Sequence, residues 1–385
     1  MGHSLREADL KIRDIKTYVL DTALAEPFAY SQAWYERRGA CLVEIVGEDG
    51  NSGWGEAFGP ARLTAPIVEY YKPLLIGEDA LATERHWQTL YNRLRDHGQK
   101  GLAIEALSAV DIALWDLKAR HFGVSVGRLL GGRLRDKVEA YATGFYRKRH
   151  GDPLDYLVEE AHERVAAGFT AIKLKLGFGM EGDLLLCETV RRAVGPGIRI
   201  MVDANHAYDA LGAIRLGKHI EPLDIAWFEE PVLPEDLAGY REVKAALDIP
   251  IAGGEAEFTR WGFRPLIAER LVDILQPDIA AAGGISETKK IADMANAFGV
   301  RVNPHVWGTA VALAASLQLI SALPHNPPGL HPIEPLLEFD QSEHPIRFAV
   351  VAEPIVQKDG WVAIPDRPGL GIDIDRTALV KFSVA

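Results

Sequence analysis

Asp203, Glu229 and Glu255 each follow a short apolar run, and the step from one acid to the next is 26 residues both times. If each run is a strand and each step one βα unit, the three carboxylates stand at the C-terminal ends of neighbouring parallel strands. That rim is where barrel enzymes assemble their chemistry. Converging carboxylates repel one another, and a divalent cation removes the cost of holding them ionised. An all-oxygen donor set favours Mg2+, with Mn2+ as a substitute, over zinc. A single acid at a strand end is explained well enough as a helix cap. Three at one interval are read here as metal ligands.

Proton carriers flank these acids. Lys173 and Lys175 alternate with Ile172, Leu174 and Leu176, so both lysines face one side of their strand. Helices cover the outside of such a sheet, which turns the lysines inward. There, burial and mutual repulsion are expected to depress at least one pKa and make a usable base. A solvated edge strand is the competing reading. Across the rim, Asp278 ends the run 274–277 and His305 ends 301–304. A carboxylate on one imidazole nitrogen fixes the tautomer and leaves the other nitrogen free to move a proton, although the pair equally suits a plain structural hydrogen bond. Glu338, near the last strand's end, closes the ring, with Glu334 competing for the place. Lys175 is the first choice of base, with Lys173 holding a carboxylate oxygen or tuning its neighbour. Asn205 either reaches a metal-bound water or substrate oxygen or makes an Asx-turn. Glu230 is expected to point away from the acids and meet a lysine, and Glu257 is open in role. His206, Tyr141 and Thr143 are pocket candidates, and Trp115 belongs to a core.

Such a ring suits removal of a proton next to a carboxylate, because a cation can stabilise the enediolate charge that develops. Loss of a β-hydroxyl then gives dehydration to a 2-keto acid. Loss of a lactone ring oxygen gives isomerisation, and return of the proton gives racemisation or epimerisation of a 2-hydroxy acid. A phosphate-handling barrel is disfavoured because no glycine-rich anion site follows the late strands. A non-catalytic, metal-dependent sugar-acid binding protein has no need of bases on both sides of the metal.

The elements that must carry these residues fall into three regions. Residues 1–130 begin with strands at 12–19 and 41–46, the second turning through Glu48-Asp49-Gly50-Asn51 into a third. An amphipathic helix follows, on Ile104, Leu107, Val110, Leu114 and Leu117. Residues 131–340 alternate eight strand runs, at 138–142, 171–174, 198–202, 225–228, 250–253, 274–275, 300–303 and about 335–339, with helical stretches. That rhythm specifies parallel strands with helical crossovers, best closed as a barrel. Residues 341–385 are too short for a core of their own and are expected to pack back onto the capping region. The chain has 385 residues, 48% apolar, and a net charge of −12, which argues against nucleic acid and anionic membrane as partners. The opening MGHSLREADLKIRD lacks the apolar stretch of a signal peptide. Two cysteines, Cys41 and Cys187, point to a reducing cytoplasm.

Taken together these motifs resemble the enolase superfamily, mandelate racemase subgroup, over nearly the whole chain. The carriers are Lys173-x-Lys175, Asp203-Ala204-Asn205, Glu229-Glu230-Pro231, Gly253-Gly254-Glu255, Asp278, His305 and Glu338. The resemblance implies an α/β fold, a modified TIM barrel (β/α)7β under an N-terminal α+β capping domain completed by the C-terminal segment. It implies Mg2+ on the three middle acids, Lys175 and His305 on opposite faces of the substrate, and Glu338 facing its carboxylate. Segments Trp54–Arg62, Pro304–Thr309 and Leu337–Asp340 look closest to the branch of galactarolactone cycloisomerase and aldarate dehydratases, so the expected substrate is a small acidic sugar or its lactone. Ala256-Glu257 departs from that branch, which often has Thr-Trp there. Lid loops are expected at Phe28, Tyr30 and Trp34 and up to Arg62, which pairs with a distal carboxylate or caps the interface. Trp307 is a further substrate contact. The expected assembly is a homo-oligomer, from dimer to octamer.

Overall fold

The computed structural model describes residues 10–384, so most of the opening segment read above lies outside the described residues. The chain starts with β1 (Ile12–Ala29), β2 (Trp34–Gly47) and β3 (Ser52–Ala57), an antiparallel sheet in the order β3-β2-β1. The 48–51 turn between β2 and β3 falls where the sequence places it. The β1–β2 hairpin runs well past the expected strands, with a register irregularity between Ala23 and Phe28. A bulge of this kind breaks the inside–outside alternation by which a strand is read. The segment expected as a lid loop is therefore the tip of a hairpin, closed by the Tyr30 N–H donating to the Ala33 carbonyl.

Helices Ala61–Tyr71 and Leu102–Phe122 pack on this sheet, and Thr83–Leu94 packs on Leu102–Phe122. Ile104, Leu107, Val110, Leu114 and Leu117 are all buried against Ile15, Val43 and Ile45. Gly53 and Gly55 let β3 approach the long helix closely, since a Cβ on Gly55 would stand 1.9 Å from the Ala109 carbonyl oxygen. The polar side of this helix is buried as well. Ser108 accepts from the Gly283 N–H (2.9 Å), Asp111 from the Ser286 N–H (2.9 Å) and hydroxyl (2.6 Å), and Trp115 donates to Ser286 (2.8 Å). Trp115 packs against the main core, as expected, and its indole N–H also ties the helix to Ser286.

The barrel strands are β4 (Lys137–Thr143), β6 (Ala171–Lys175), β7 (Arg199–Asp203), β8 (Ile225–Glu229), β9 (Ile251–Gly253), β10 (Ile274–Leu275), β11 (Arg301–Val302) and β12 (Leu336–Asp340). A two-residue β5 (Arg147–Lys148) pairs with the hairpin tip at Phe28 and Ala29. The barrel strands are parallel from β4 through β11, and β12 closes onto β4. Among the described residues, seven helices fill the gaps between the eight strands, the (β/α)7β arrangement, and β12 has no helix of its own in that cycle. Between β11 and β12 the Asn303 side-chain oxygen accepts from the Leu336 N–H (3.1 Å), and no ladder joins the two strands among the described residues.

After β12, a hairpin of β13 (Gln357–Lys358) and β14 (Trp361–Ala363) pairs antiparallel with the start of β4. Helix Arg376–Phe382 returns to the first sheet. There Arg376 pairs with Glu44, and the Val384 N–H donates to the Val19 carbonyl. The tail therefore ties to both the barrel and the cap. No helix of the described residues is long and apolar enough to cross a membrane.

Candidate active site

Strand register brings the site together. Lys175 on β6 lies level with Asp203 on β7, and Asp203 level with Glu229 on β8. All three side chains point inward and are buried. Glu255 follows β9 after Gly254, whose φ of +121° and contact with the Phe263 ring exclude a larger residue. Asp203, Glu229 and Glu255 can each offer an oxygen within 4.8 Å of the others. Glu255 Oε2 is buried without a hydrogen-bond partner. Such an atom costs free energy unless a ligand meets it. The oxygen-only donor set and this orphaned oxygen fit a hard divalent cation such as Mg2+.

The remaining Glu229 and Asp203 atoms are tightly held. Glu229 Oε2 accepts from Trp227 Nε1 (2.9 Å) and Gln276 Nε2 (2.7 Å), and Oε1 from Lys173 (2.5 Å). Asp203 Oδ2 accepts from Lys175 (2.5 Å), and Oδ1 from the Asn205 N–H (2.8 Å). Asn205 Oδ1 in turn accepts from Lys175 (3.1 Å), so Asn205 serves the base as well as a local turn. Lys173 also reaches Glu338 Oε1 at 2.9 Å.

These pairs correct one expectation. Lys173 does push Lys175 down, but neither lysine ends below the ordinary lysine range. Burial pushes each down, but Glu229 and Glu338 lift Lys173, and Asp203 lifts Lys175, both above the ordinary lysine range. The carboxylates outweigh lysine–lysine repulsion because one lies 2.5 Å from each ammonium. Burial raises the Asp203 carboxyl, yet Lys175 and Lys173 hold it down at about 2.

On the opposite wall His305 Nδ1 lies 2.7 Å from Asp278 Oδ2, and Asp278 Oδ1 accepts from the Ala280 N–H at 2.7 Å. His305 Nε2 faces Glu255 Oε2 at 3.5 Å and Glu338 Oε2 at 4.0 Å. Burial pushes the imidazole down, but Glu255, Glu338 and Asp278 together lift it to about 10. Phe58 packs edge-on against its ring. The cavity between the walls, about 140 Å3, is lined by Lys175, Asn205, His206, Glu255, His305, Trp307 and Glu338, under Tyr30, Tyr35, Phe58 and Tyr146.

Several sequence candidates lie elsewhere. Arg62 is an exposed residue in the first turn of Ala61–Tyr71 and does not line the cavity. Phe28 is buried behind the wall, its ring against Tyr35 and Tyr146. Thr143 ends β4 fully buried, with no partner for its hydroxyl and outside the lining. Glu334 pairs with Arg135 (2.9 Å) and His325 (2.7 Å) at the barrel base, which leaves Glu338 in the ring. Glu230 meets His206 (3.0 Å) rather than a lysine, and Glu257 meets Lys100 (2.7 Å). Sequence reasoning missed Gln276, Trp227 and Tyr146, whereas Tyr35 and Phe58 fall within the two expected lid segments and do line the cavity. Gln276 was open to discovery, since it directly follows the apolar run Ile274-Leu275 and so stands at the same rim as the acids. Arg38 was missed too. It is buried, with its guanidinium 3.8 Å over the Trp307 ring and 3.7 Å from Asp340.

A parallel barrel with three acids on successive strand ends, paired lysines on one wall and a His–Asp dyad on the other defines a class, and the chain belongs to it: the enolase superfamily, mandelate racemase subgroup. Residues 14–131 match the mandelate racemase / muconate lactonizing enzyme N-terminal domain, and residues 156–378 match the enolase C-terminal domain-like family. Among individual proteins, the chain is similar to the D-galactarolactone cycloisomerase of Agrobacterium fabrum, 48% identical over 97% of this chain and 99% of that one. It is 36% identical to the arabinonate dehydratase of Saccharolobus solfataricus, over 86% and 87%. Among solved structures, the 3,6-anhydro-D-galactonate cycloisomerase of Zobellia galactanivorans matches with a TM-score of 0.88 at 39% identity, covering 97% and 100%. A Streptomyces coelicolor racemase with bound magnesium matches at 0.86 and 29%, also covering 97% and 100%.

Proposed function

We propose that the protein is a Mg2+-dependent acid-sugar isomerase or lyase that removes the α-proton of an aldarolactone or aldarate and expels the β-oxygen. One observation carries the reading: Lys175 and His305 line one small cavity from the side of Asp203 and the side of Asp278, with the three acids beside them. Asp203, Glu229 and Glu255 are the residues that would hold the cation, with Mn2+ able to replace it. A cation held there would supply electrostatic stabilisation for negative charge developing on the substrate carboxylate, and would compete with the Lys175 ammonium for Asp203.

Lys175 takes the proton from the α-carbon. Lys173, positioned by its pairing with Glu338, holds an oxygen of the substrate carboxylate. His305, fixed by Asp278, donates from Nε2 to the departing oxygen, which the ring geometry of a dyad on the opposite wall supports. Asn205 steadies the Lys175 ammonium. Trp307, Tyr30 and His206 border the sugar chain, and Tyr35, Phe58 and Tyr146 keep water from the enediolate. Similarity to two cycloisomerases favours lactone opening, in which the departing oxygen stays on the product. Similarity to a dehydratase supports a second reading, loss of a β-hydroxyl from the open diacid, using the same residues. The enzyme is proposed to work as a homo-oligomer in the cytoplasm, in keeping with two free buried cysteines.

The test is product analysis by NMR in D2O with Mg2+, offering D-galactarolactone, galactarate, arabinonate and other aldonates. A 2-keto-3-deoxy acid formed from the lactone, with no reaction of the open diacid, supports cycloisomerisation. Reaction of the open acid supports dehydration. Neither turnover nor α-deuterium wash-in with any acid sugar would overturn the proposal.

A further inference from the structure

The barrel has a second cavity, at the end opposite the acids. Its lining includes the first residues of β7, β11 and β12, Arg199, Arg301 and Leu336, with Trp227 and Val302 beside them. It lies beside the gap between β11 and β12, which no ladder joins among the described residues. Its volume, about 150 Å3, is that of a cavity known to hold one benzene ring. The floor is apolar, made by Met201, Trp227 and Leu336, all buried.

One guanidinium there lacks a direct partner. Arg199 pairs with Glu139, and Glu334 is engaged by Arg135 and His325. The Arg301 guanidinium is half-buried and makes no hydrogen bond or ion pair among the described residues. Burial pulls its pKa down, and only the charge of Asp273 opposes this. Asp273 is already taken by Lys244 and the Ile251 N–H. A half-desolvated cation with no partner is costly unless an anion reaches it.

We propose that this basal cavity is a binding site for a monocarboxylate with a single ring-sized apolar body, its carboxylate on Arg301 and its ring against Trp227, Met201 and Leu336. One free guanidinium matches one negative charge. A dianionic phosphate would face Glu334 with a single unpaired cation to hold it; the lining also carries Asn296, Asn303 and Asn326, but the floor of Met201, Trp227 and Leu336 offers a sugar's hydroxyls no partner. The site also has a route to the acids above, because Trp227 reaches from this floor to Glu229 Oε2.

The experiment is a fluorine-NMR titration of the Mg2+-loaded protein with 4-fluorobenzoate, and with 4-fluorobenzyl alcohol as the neutral counterpart. It is run on the native chain, Arg301→Gln and Lys175→Ala, each checked by thermal unfolding. Arg301 makes no side-chain bond that the fold depends on, so Arg301→Gln is expected to fold and to turn over substrate normally. Saturable binding of the benzoate, weakened about ten-fold or more by Arg301→Gln and by the alcohol but unchanged in Lys175→Ala, supports the site. Binding that survives Arg301→Gln and is lost in Lys175→Ala places the probe among the upper acids and bases and overturns the proposal. Equal binding of acid and alcohol, or no saturable binding to the native chain, overturns it as well.

Discussion

Replacing Asp278 with Asn preserves the shape of the dyad and changes one charge. Asp278 Oδ1 accepts from the Ala280 N–H at 2.7 Å, and Oδ2 faces His305 Nδ1 at 2.7 Å. In the Asp278→Asn variant the side-chain carbonyl oxygen must keep the Ala280 bond, so the amide NH2 turns to the imidazole. That NH2 donates to Nδ1 and forces the ring proton onto Nε2. An imidazolium would then set N–H against N–H. The lost charge-assisted bond is worth about 1.5–3 kcal/mol, and a buried unsatisfied donor about 1–3 more. Together they lower turnover by roughly 10² to 10⁴-fold, at 1.36 kcal/mol per factor of ten. The assay is product formation from D-galactarolactone, followed beside α-deuterium wash-in. Wash-in depends on Lys175 and should fall by less than about ten-fold, because the dyad acts on the leaving oxygen. Turnover within about three-fold of the native chain would refute the assignment of His305. An equal fall in wash-in would show that His305, not Lys175, takes the α-proton.

Three more outcomes follow from the geometry. Lys175→Ala removes the proposed base, so wash-in and turnover should both fall by about 10³-fold or more while calorimetry shows the metal still bound. Gly55→Ala sets a Cβ 1.9 Å from the Ala109 carbonyl oxygen. It should destabilise the native state by about 3 kcal/mol in urea unfolding, and a change under about 0.5 kcal/mol would contradict that packing. Glu44 tests pH dependence: burial raises its carboxyl, but Arg376, Ser52 and Tyr18 hold it down at about 2, against an ordinary 4.5. A folded pKa below the unfolded one stabilises the native state above pH 4.5, and the contribution fades as pH falls towards 2. Discounted for screening, it is about 1–2 kcal/mol, and Arg376→Ala should remove most of it at pH 7 and little at about pH 2.5.

How much of this was legible in the chain depended on periodicity. The barrel strands could be placed because each is a short, largely apolar run with a polar residue at or just past its end, and Asp203, Glu229 and Glu255 inherit their shared rim from the βα repeat itself. The paired lysines were oriented correctly by alternation alone, and both are buried. Their charge state was not legible, since it depends on Asp203, Glu229 and Glu338, which other strands bring within 2.5–2.9 Å. The hairpin tip was hidden by the irregularity between Ala23 and Phe28, where alternation fails. Arg62 looked suitable by charge and proximity in sequence, but the helix beginning at Ala61 turns it to solvent. The cavity at the base was invisible because the gap beside it, where no ladder joins β11 to β12 among the described residues, leaves no mark on composition.

Everything proposed for the upper cavity depends on Asp203, Glu229 and Glu255 gripping one divalent cation. Mn2+ titration monitored by electron paramagnetic resonance measures this directly, on the native chain, Glu255→Gln and Lys175→Ala. The expected result is about one tight site per native chain, weakened about ten-fold or more in Glu255→Gln, retained in Lys175→Ala and displaced by Mg2+. Unchanged Mn2+ affinity in Glu255→Gln, or full turnover by the native enzyme after exhaustive chelation, would contradict the account.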